Sequence, residues 1–414
     1  MRVQLITHSY LPERTPPQRR WAAFVEAFRG AGWDVDVVVP QADPGHVPGG
    51  GQGPEAPAAS TGADDRWGAH GERIWRTWTI PALGATRDGR FLGHVVHALA
   101  AIPVALRAER PDVLVVTVPA LPTVVAGWTL SKLRRTPLIV EMRDAWPDLA
   151  RDSGVSTGLL SRLMEYLVTG TQRSADLVVT VTRGFAERLS ERGIRVVEVV
   201  GNGVPLSRIE PVPARDRVPG ELNVLYLGNH GESQGLETVI RAAALVQEGP
   251  ERIAVRLVGS GTQRDALSDL NDSLGAPVTM MDAVHGAGLR AQYAWADTCL
   301  VSLRPDWPSF DWTIPSKTYE LLAVGRHVTG VVTGEAARVL EESGAASIVP
   351  ADAASLAAHW RDLATRPQST VVDGRGRDWV HRHADLPELG RRFVGLARET
   401  VLRRSPRATA YNRH

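Results

Sequence analysis

Lys317 stands at the start of a helix-like segment, Ile314-Pro315-Ser316-Lys317-Thr318-Tyr319-Glu320, that runs through Ala323 to Gly325. Pro315 and Ser316 suit a helix N-terminus. A lysine in the first turn opposes the helix dipole, so it is better explained where an anion shares the site. Glu320 follows one turn after Ser316, and a carboxylate there can accept two hydrogen bonds from a vicinal diol such as that of a ribose. An amphipathic helix with a solvated glutamate would read the same, and the segment alone does not separate the two. Two glycine turns add to the pattern. A strand-like run at 225–227 enters Gly228-Asn229-His230-Gly231-Glu232-Ser233-Gln234-Gly235, and Val258 enters Gly259-Ser260-Gly261. Glycines let a backbone approach a ligand closely, and the helix that follows offers unpaired N–H groups to an anion. Each is also an ordinary strand-to-helix turn. Two of them in one half of the chain favour a phosphate-bearing ligand.

The elements that must position these residues alternate along the chain. An apolar run at 3–7 precedes helical spacing over 18–31 (Trp21, Phe24, Val25, Phe28), which Gly32 stops, and then a β-branched run at 35–39. Runs at 113–118, 138–140, 177–181 and 196–200 alternate with helix-like segments at 121–134 and 184–192. Such alternation is the mark of a parallel sheet covered by helices. Pro205, Pro211, Pro213 and Pro219 then interrupt it, and it restarts with runs at 222–227, 255–258, 278–281, 299–303, 328–332 and 347–349. The spacing predicts helices over 236–246 and 263–274. The sequence therefore predicts an α/β fold of two Rossmann-like domains facing a central cleft. Their expected bounds are a first domain over 1–204, a linker over 205–220, a second domain over 221–380 that holds both glycine turns and Lys317, and a helical segment over 381–414 that packs back on the first domain.

Composition narrows the function. The 47 basic and 46 acidic residues balance, so no electrostatic footprint for nucleic acid is present. Only Lys132 and Lys317 are lysines among the 47 basic residues, which lends interest to a lysine inside a motif. A single cysteine, Cys299, excludes a disulfide framework and a cysteine-based zinc site, fits a reducing compartment, and reads as a buried inert thiol. The opening MRVQLITHSY is too short and polar for a signal peptide, and no apolar run reaches the roughly 18 residues of a bilayer span. These features imply a cytoplasmic protein. The Gly/Pro-rich stretch 41–71 reads as a long loop, with disorder expected over 43–65. The segment 91–106 is apolar nearly all round and flanked by Arg87, Arg90, Arg107 and Arg110. It is either a buried helix or a membrane-surface helix.

Taken together, these motifs resemble the GT-B fold glycosyltransferases of family 4, the retaining nucleotide-sugar-dependent type, and most closely the subgroup acting on N-acetylated or 6-deoxy hexosamines. Pro315-Ser316-Lys317 through Glu320 resembles the family's nucleotide-binding helix, Gly228 through Gly235 its first donor loop, and Gly259 through Gly261 its second. In the first half, Glu141-Met142-Arg143-Asp144-Ala145-Trp146-Pro147-Asp148 resembles the subgroup's acidic-tryptophan-proline motif. The stretch 110–135, Ala175-Asp176-Leu177-Val178 and Gly201-Asn202-Gly203-Val204 also follow it. The resemblance implies a UDP-sugar donor held by Gly228, Asn229, Gln234, Gly235, Gly259, Gly261, Pro315, Ser316, Lys317 and Glu320. It implies catalysis by Lys317, Arg304, Asp144 and Arg143, with no metal and no cofactor, by front-face transfer to a hydroxyl acceptor, either a lipid-linked sugar or a small molecule.

The chain departs from the family pattern at several positions. Of the family's two acidic residues eight positions apart, the first place holds Trp312, with Asp311 adjacent. The charged residues of the first donor loop are replaced by Asn229 and Gln234, so Lys317, Arg304 and helix N-termini must meet the pyrophosphate charge. The first-domain histidine before an aspartate is Arg143 here, with His8 and His230 as partial substitutes. Asp144, Arg143 and the segment 14–20 would line the acceptor side. A non-catalytic nucleotide-sugar-binding subunit, a phosphorylase and a GT-B-fold sugar-nucleotide epimerase are the alternatives; a phosphorylase would need a cofactor lysine that neither lysine here suits.

Overall fold

The computed structural model describes residues 1–11, 16–41, 66–78, 87–118, 120–143, 148 and 159–404. The segment 43–65, expected to be disordered, and Asp144 lie outside the described residues. The described residues up to Asn202, together with Leu386 onward, form one compact unit, and those from Gly203 to Asp385 form another.

The first unit is built on seven parallel strands: β1 (Arg2–Ile6), β2 (Asp34–Pro40), β3 (Arg73–Thr77), β4 (Val113–Thr117), β5 (Leu138–Met142), β6 (Leu177–Thr180) and β7 (Val197–Val199), in the order β3-β2-β1-β4-β5-β6-β7. Val3 pairs with Val35 on one side and Val113 on the other. β4 and β5 are buried at every position, which is why β4 reads as a continuous Val- and Leu-rich run rather than an alternating one. The helices are α1 (Pro16–Gly30), α2 (Arg87–Arg107), α3 (Leu121–Arg134), α4 (Leu159–Ser174) and α5 (Arg183–Glu191). The expected acceptor segment 14–20 is already helical from Pro16.

The second unit holds six parallel strands: β8 (Glu221–Asn229), β9 (Arg252–Ser260), β10 (Val278–Met281), β11 (Thr298–Ser302), β12 (His327–Val331) and β13 (Ala346–Ile348), in the order β10-β9-β8-β11-β12-β13. Its helices are α6 (Leu236–Val246), α7 (Arg264–Leu274), α8 (Gly286–Trp295), α9 (Lys317–Val324), α10 (Gly334–Ser343), α11 (Ala353–Thr365) and α12 (Arg375–His383). β8 continues two residues past the predicted end at 227, because Gly228 pairs with Gly259 and Asn229 with Ser260. The proline-rich segment 205–220 is laid on this unit. Val212 N–H donates to the Val324 carbonyl at 3.0 Å, Gly220 N–H to Ala364 at 2.8 Å, and Arg215 forks onto Asp297.

The last helix, α13 (Leu386–Arg404), returns to the first unit and packs on α1. The Phe393 ring lies 5.4 Å from Trp21, 5.2 Å from Phe24 and 6.1 Å from Phe28. The helical spacing of the α1 aromatics is thus the stripe that α13 covers.

Candidate active site

In an open parallel sheet, ligands lie beyond the carboxyl ends of the strands where the strand order reverses. In the second unit that point falls between β8 and β11. The turns leaving these two strands are tied together: Ser302 Oγ donates to the Gln234 carbonyl at 2.7 Å, and Arg304 N–H to Ser233 at 3.0 Å. They line a cavity of about 220 Å³ bounded by Glu232, Gly235, Thr238, Ser302, Arg304 and Asp306, among others. Gly235 has φ +57°, a left-handed conformation that favours glycine, and it lies against Arg304, whose Cβ a side chain there would touch at 3.4 Å. Asn229 and Gln234 stand side by side, with Gln234 Oε1 accepting from Gly231 N–H at 3.1 Å.

The second glycine turn has a structural cause. A Cβ on Gly259 would run into the Gly228 carbonyl, and one on Gly261 into the His230 backbone. His230 N–H donates to Ser260 at 2.8 Å and Gln263 N–H to His230 at 2.9 Å, so the two loops form one body. His230 is fully buried, and burial pushes its imidazole down to about 4. It therefore stands inside the loop as a neutral ring.

Pro315 and Ser316 lead into α9, whose first residue is Lys317 and whose end is set by Gly325 at φ +83°. Lys317 Nζ donates to Glu320 Oε1 at 3.1 Å, one turn along. Tyr293, from α8, donates its hydroxyl to the same oxygen at 2.6 Å, and Lys317 Nζ lies 5.7 Å from the Tyr293 ring centroid. Burial, and then the Glu320 charge, push the Tyr293 phenol well above its ordinary range, so it is a fixed donor. Oε1 of Glu320 is therefore occupied twice, while the side chain keeps 24% exposure. Tyr293 escaped the sequence reading because α8 carries a weak apolar period.

Arg304 differs from its expected role in one respect: its guanidinium lies between two carboxylates, Glu232 at 2.7 Å and Asp306 at 2.6 Å. Asp311 is also committed, accepting from Thr333 Oγ1 at 2.7 Å just before α10. Cys299 is buried, and burial pushes its thiol up to about 12.

In the first unit the order reverses between β1 and β4. Arg143 is pinned there by Nε and Nη2 bonds of 3.0 and 2.7 Å to the Val118 carbonyl at the end of β4. Glu141, two residues earlier, is fully buried and accepts from Arg20 Nε and Trp21 Nε1 at 2.9 Å each and from Thr117 Oγ1 at 2.8 Å. Burial alone would raise its carboxyl, but the Arg20 and Arg143 guanidiniums and the Thr117 hydroxyl outweigh it and hold it below the usual range. Arg20 also binds the carbonyls of Val200 and Gly201, so it is an internal tie and does not face an acceptor. His8, expected as a partial substitute for the family's histidine, packs its ring 4.2 Å from His94 and 5.8 Å from His97.

Two parallel-sheet units in tandem, each with its polar residues gathered at the reversal of strand order, define the GT-B architecture of nucleotide-sugar-dependent transferases. Residues 17–203 match the Glycosyl transferase 4-like domain and residues 221–366 the domain Glycosyl transferases group 1. The chain is a GT-B fold glycosyltransferase related to these families, and its general activity is transfer of the sugar of a nucleotide sugar to an acceptor. WcaI of Escherichia coli (strain K12), named provisionally as a colanic acid biosynthesis glycosyl transferase, is 26% identical over 317 residues, covering 70% of this chain and 74% of that protein. Among solved structures, sucrose-phosphate synthase (tll1590) from Thermosynechococcus elongatus aligns with a TM-score of 0.70 at 19% identity, covering 96% of this chain and 98% of that one. Anabaena Alr3699/HepE in complex with UDP aligns at 0.67 and 15%, covering 96% of this chain and all of that one.

Proposed function

We propose that the enzyme moves a hexose or hexosamine from a UDP-sugar to a hydroxyl acceptor with retention, in polysaccharide, glycolipid or natural-product glycosylation, working in the cytoplasm and in contact with the membrane face. The observation that carries this reading is the Glu320 carboxylate, held through one oxygen by Tyr293 and Lys317 and left with the other for a ribose diol. The N–H groups at the start of α6, together with Asn229 and Gln234, would hold the pyrophosphate. Lys317 would leave Glu320 in part to meet the phosphate charge, with Arg304 supporting it. As the bond from the anomeric carbon to the phosphate oxygen breaks, its electron pair goes to the phosphate. The acceptor oxygen bonds the same face of the anomeric carbon, and its proton passes to a leaving phosphate oxygen. Preorganised cations and N–H groups stabilise that growing charge. Arg143 and Asp144 would hold the acceptor.

The UDP bound in the Anabaena structure supports the choice of nucleotide. One observation favours a second reading, a binding subunit without turnover: Arg304 is already neutralised by Glu232 and Asp306. A panel of nucleotide sugars, screened first by thermal shift and then for transfer with and without acceptor, separates the two. The anomeric configuration of the product, read by NMR, tests retention. Binding of a UDP-sugar with no hydrolysis and no transfer to any acceptor would leave the second reading standing.

A further inference from the structure

The first unit carries an apolar surface that donor binding does not use. α2, α3 and α4 pack side by side in that order. α2 buries His97, Ala98, Ala101 and Ala105, yet turns Leu92, Leu99 and Leu106 outward, each two turns from the next. From Leu92 to Leu106 it bears no charged residue. α3 adds Trp128 and Leu133 to the outer face, and α4 adds Leu163, Tyr166 and Leu167. Half of the large exposed apolar side chains among the described residues therefore sit on three neighbouring helices. A solvated helix puts polar residues on its outer side. A helix layer that is apolar both inside and outside calls for a second apolar medium.

Charge identifies that medium. Arg107, Arg110, Lys132, Arg134 and Arg135 gather where α2 and α3 end. Arg134 bonds to the carbonyls of Leu106, Ala108 and Glu109, and Arg110 to the carbonyl of Arg135, so these contacts pair the guanidiniums with helix-end dipoles and not with carboxylates, and the cluster keeps a net positive charge. The nearby acids are turned to Arg2: Glu109 pairs with its guanidinium at 2.9 Å, and Asp112 accepts its N–H at 2.7 Å. Among the described residues, the two carboxylates beside this cluster, Glu109 and Asp112, are already held by Arg2, so a second copy laid with these helix ends together would set like charge against like. Phosphates of an anionic bilayer would meet the cations directly.

We propose that the outward face of α2, α3 and α4 is a docking surface for an anionic lipid bilayer, with the apolar side chains at the acyl boundary and the cation cluster on lipid phosphates. No helix among the described residues is long and apolar enough to cross a membrane, and the contact proposed is with one leaflet. This extends the membrane contact proposed above. Flotation reads lipid binding without any transfer step, so the surface and the transferase reading stand or fall separately.

The full chain is floated with phosphatidylcholine vesicles made with and without phosphatidylglycerol. It should rise with the anionic vesicles at low salt and at least about tenfold less with the neutral ones or at high salt. Leu99→Glu and Tyr166→Glu, both at exposed positions, should each lower the floated fraction by about tenfold or more. A combined Arg107→Glu and Lys132→Glu variant should bind anionic vesicles no better than neutral ones. Leu274→Glu, on the exposed face of α7, should float as the parent does. Circular dichroism checks that each variant is folded. The proposal is overturned if the parent stays at the bottom of the gradient, or if Leu99→Glu and Tyr166→Glu float unchanged. It is overturned equally if light scattering shows a dimer that Leu99→Glu dissociates while no vesicle is bound, which would assign the face to self-association.

Discussion

Replacing Glu320 by glutamine keeps the side chain's size and removes its charge. Oε1 already accepts from Tyr293 at 2.6 Å and from Lys317 at 3.1 Å, so the ribose hydroxyls must use Oε2. Hydrogen bonds to a charged acceptor contribute about 1.5–3 kcal/mol each and neutral ones about 0.5–1.5. The difference over two hydroxyls is about 2–3 kcal/mol, or roughly 30- to 150-fold in Kd. Calorimetric titration of UDP into parent and Glu320→Gln measures this. The same titration with 2′-deoxyuridine diphosphate isolates the diol: the parent should bind it about tenfold more weakly than UDP, and Glu320→Gln should scarcely distinguish the two. Tyr293→Phe removes one anchor of the carboxylate and should raise Kd by about three- to tenfold while keeping a preference for the ribose. If the parent binds UDP and its 2′-deoxy form equally, or if folded Glu320→Gln keeps the parent's affinity, Glu320 does not hold the ribose and the reasoning fails.

Lys317→Ala should lower turnover by about 10²-fold or more, with Lys317→Arg recovering only part, because a planar fork does not replace an ammonium. Steady-state kinetics decides it, and near-normal turnover in Lys317→Ala beside an inactive Arg304→Ala would move the role to Arg304. Glu141→Ala leaves the Arg20 guanidinium buried without its carboxylate and should cost the first unit about 3–5 kcal/mol, read as loss of one transition in a calorimetric scan. Unfolding should also respond to mild acid. Burial lowers His8 and His327 to about 3 and His97 and His230 to about 4, from 6.5. Below pH 6.5 the unfolded chain takes up protons that the folded one refuses, so stability falls with pH by up to about 1.4 kcal/mol per unit for each ring, and is regained above it. A melting temperature unchanged between about pH 7 and about pH 5 would contradict this.

The strands were the most legible part of the chain, since central parallel strands such as β4 are buried on both faces and must be written in β-branched residues. The glycines of the two strand-end turns were legible as glycines, but their reasons were not. Gly235 answers to a left-handed turn, whereas Gly259 and Gly261 answer to the backbone of the neighbouring loop, which lies far from them in sequence. Lys317 at the head of a helix was readable from Pro315 and Ser316. Its partner Tyr293 was not, because the bond to Glu320 joins two helices across the sequence. Arg20 shows the converse: a basic residue near a strand-end loop reads as ligand-facing until the fold supplies a buried carboxylate, here Glu141, to receive it.

The return of α13 to α1 bears on the order in which the molecule can be made. As the chain leaves the ribosome, β1 to β7 are all synthesised before the second unit begins, yet the aromatic stripe of Trp21, Phe24 and Phe28 has no cover until Phe393 emerges. Residues 203–385 are contiguous and can fold as they are extruded. The first unit must wait through that interval with this aromatic stripe open. That open face is exposed to chaperones and to aggregation during synthesis, and it closes only after the second unit has been made.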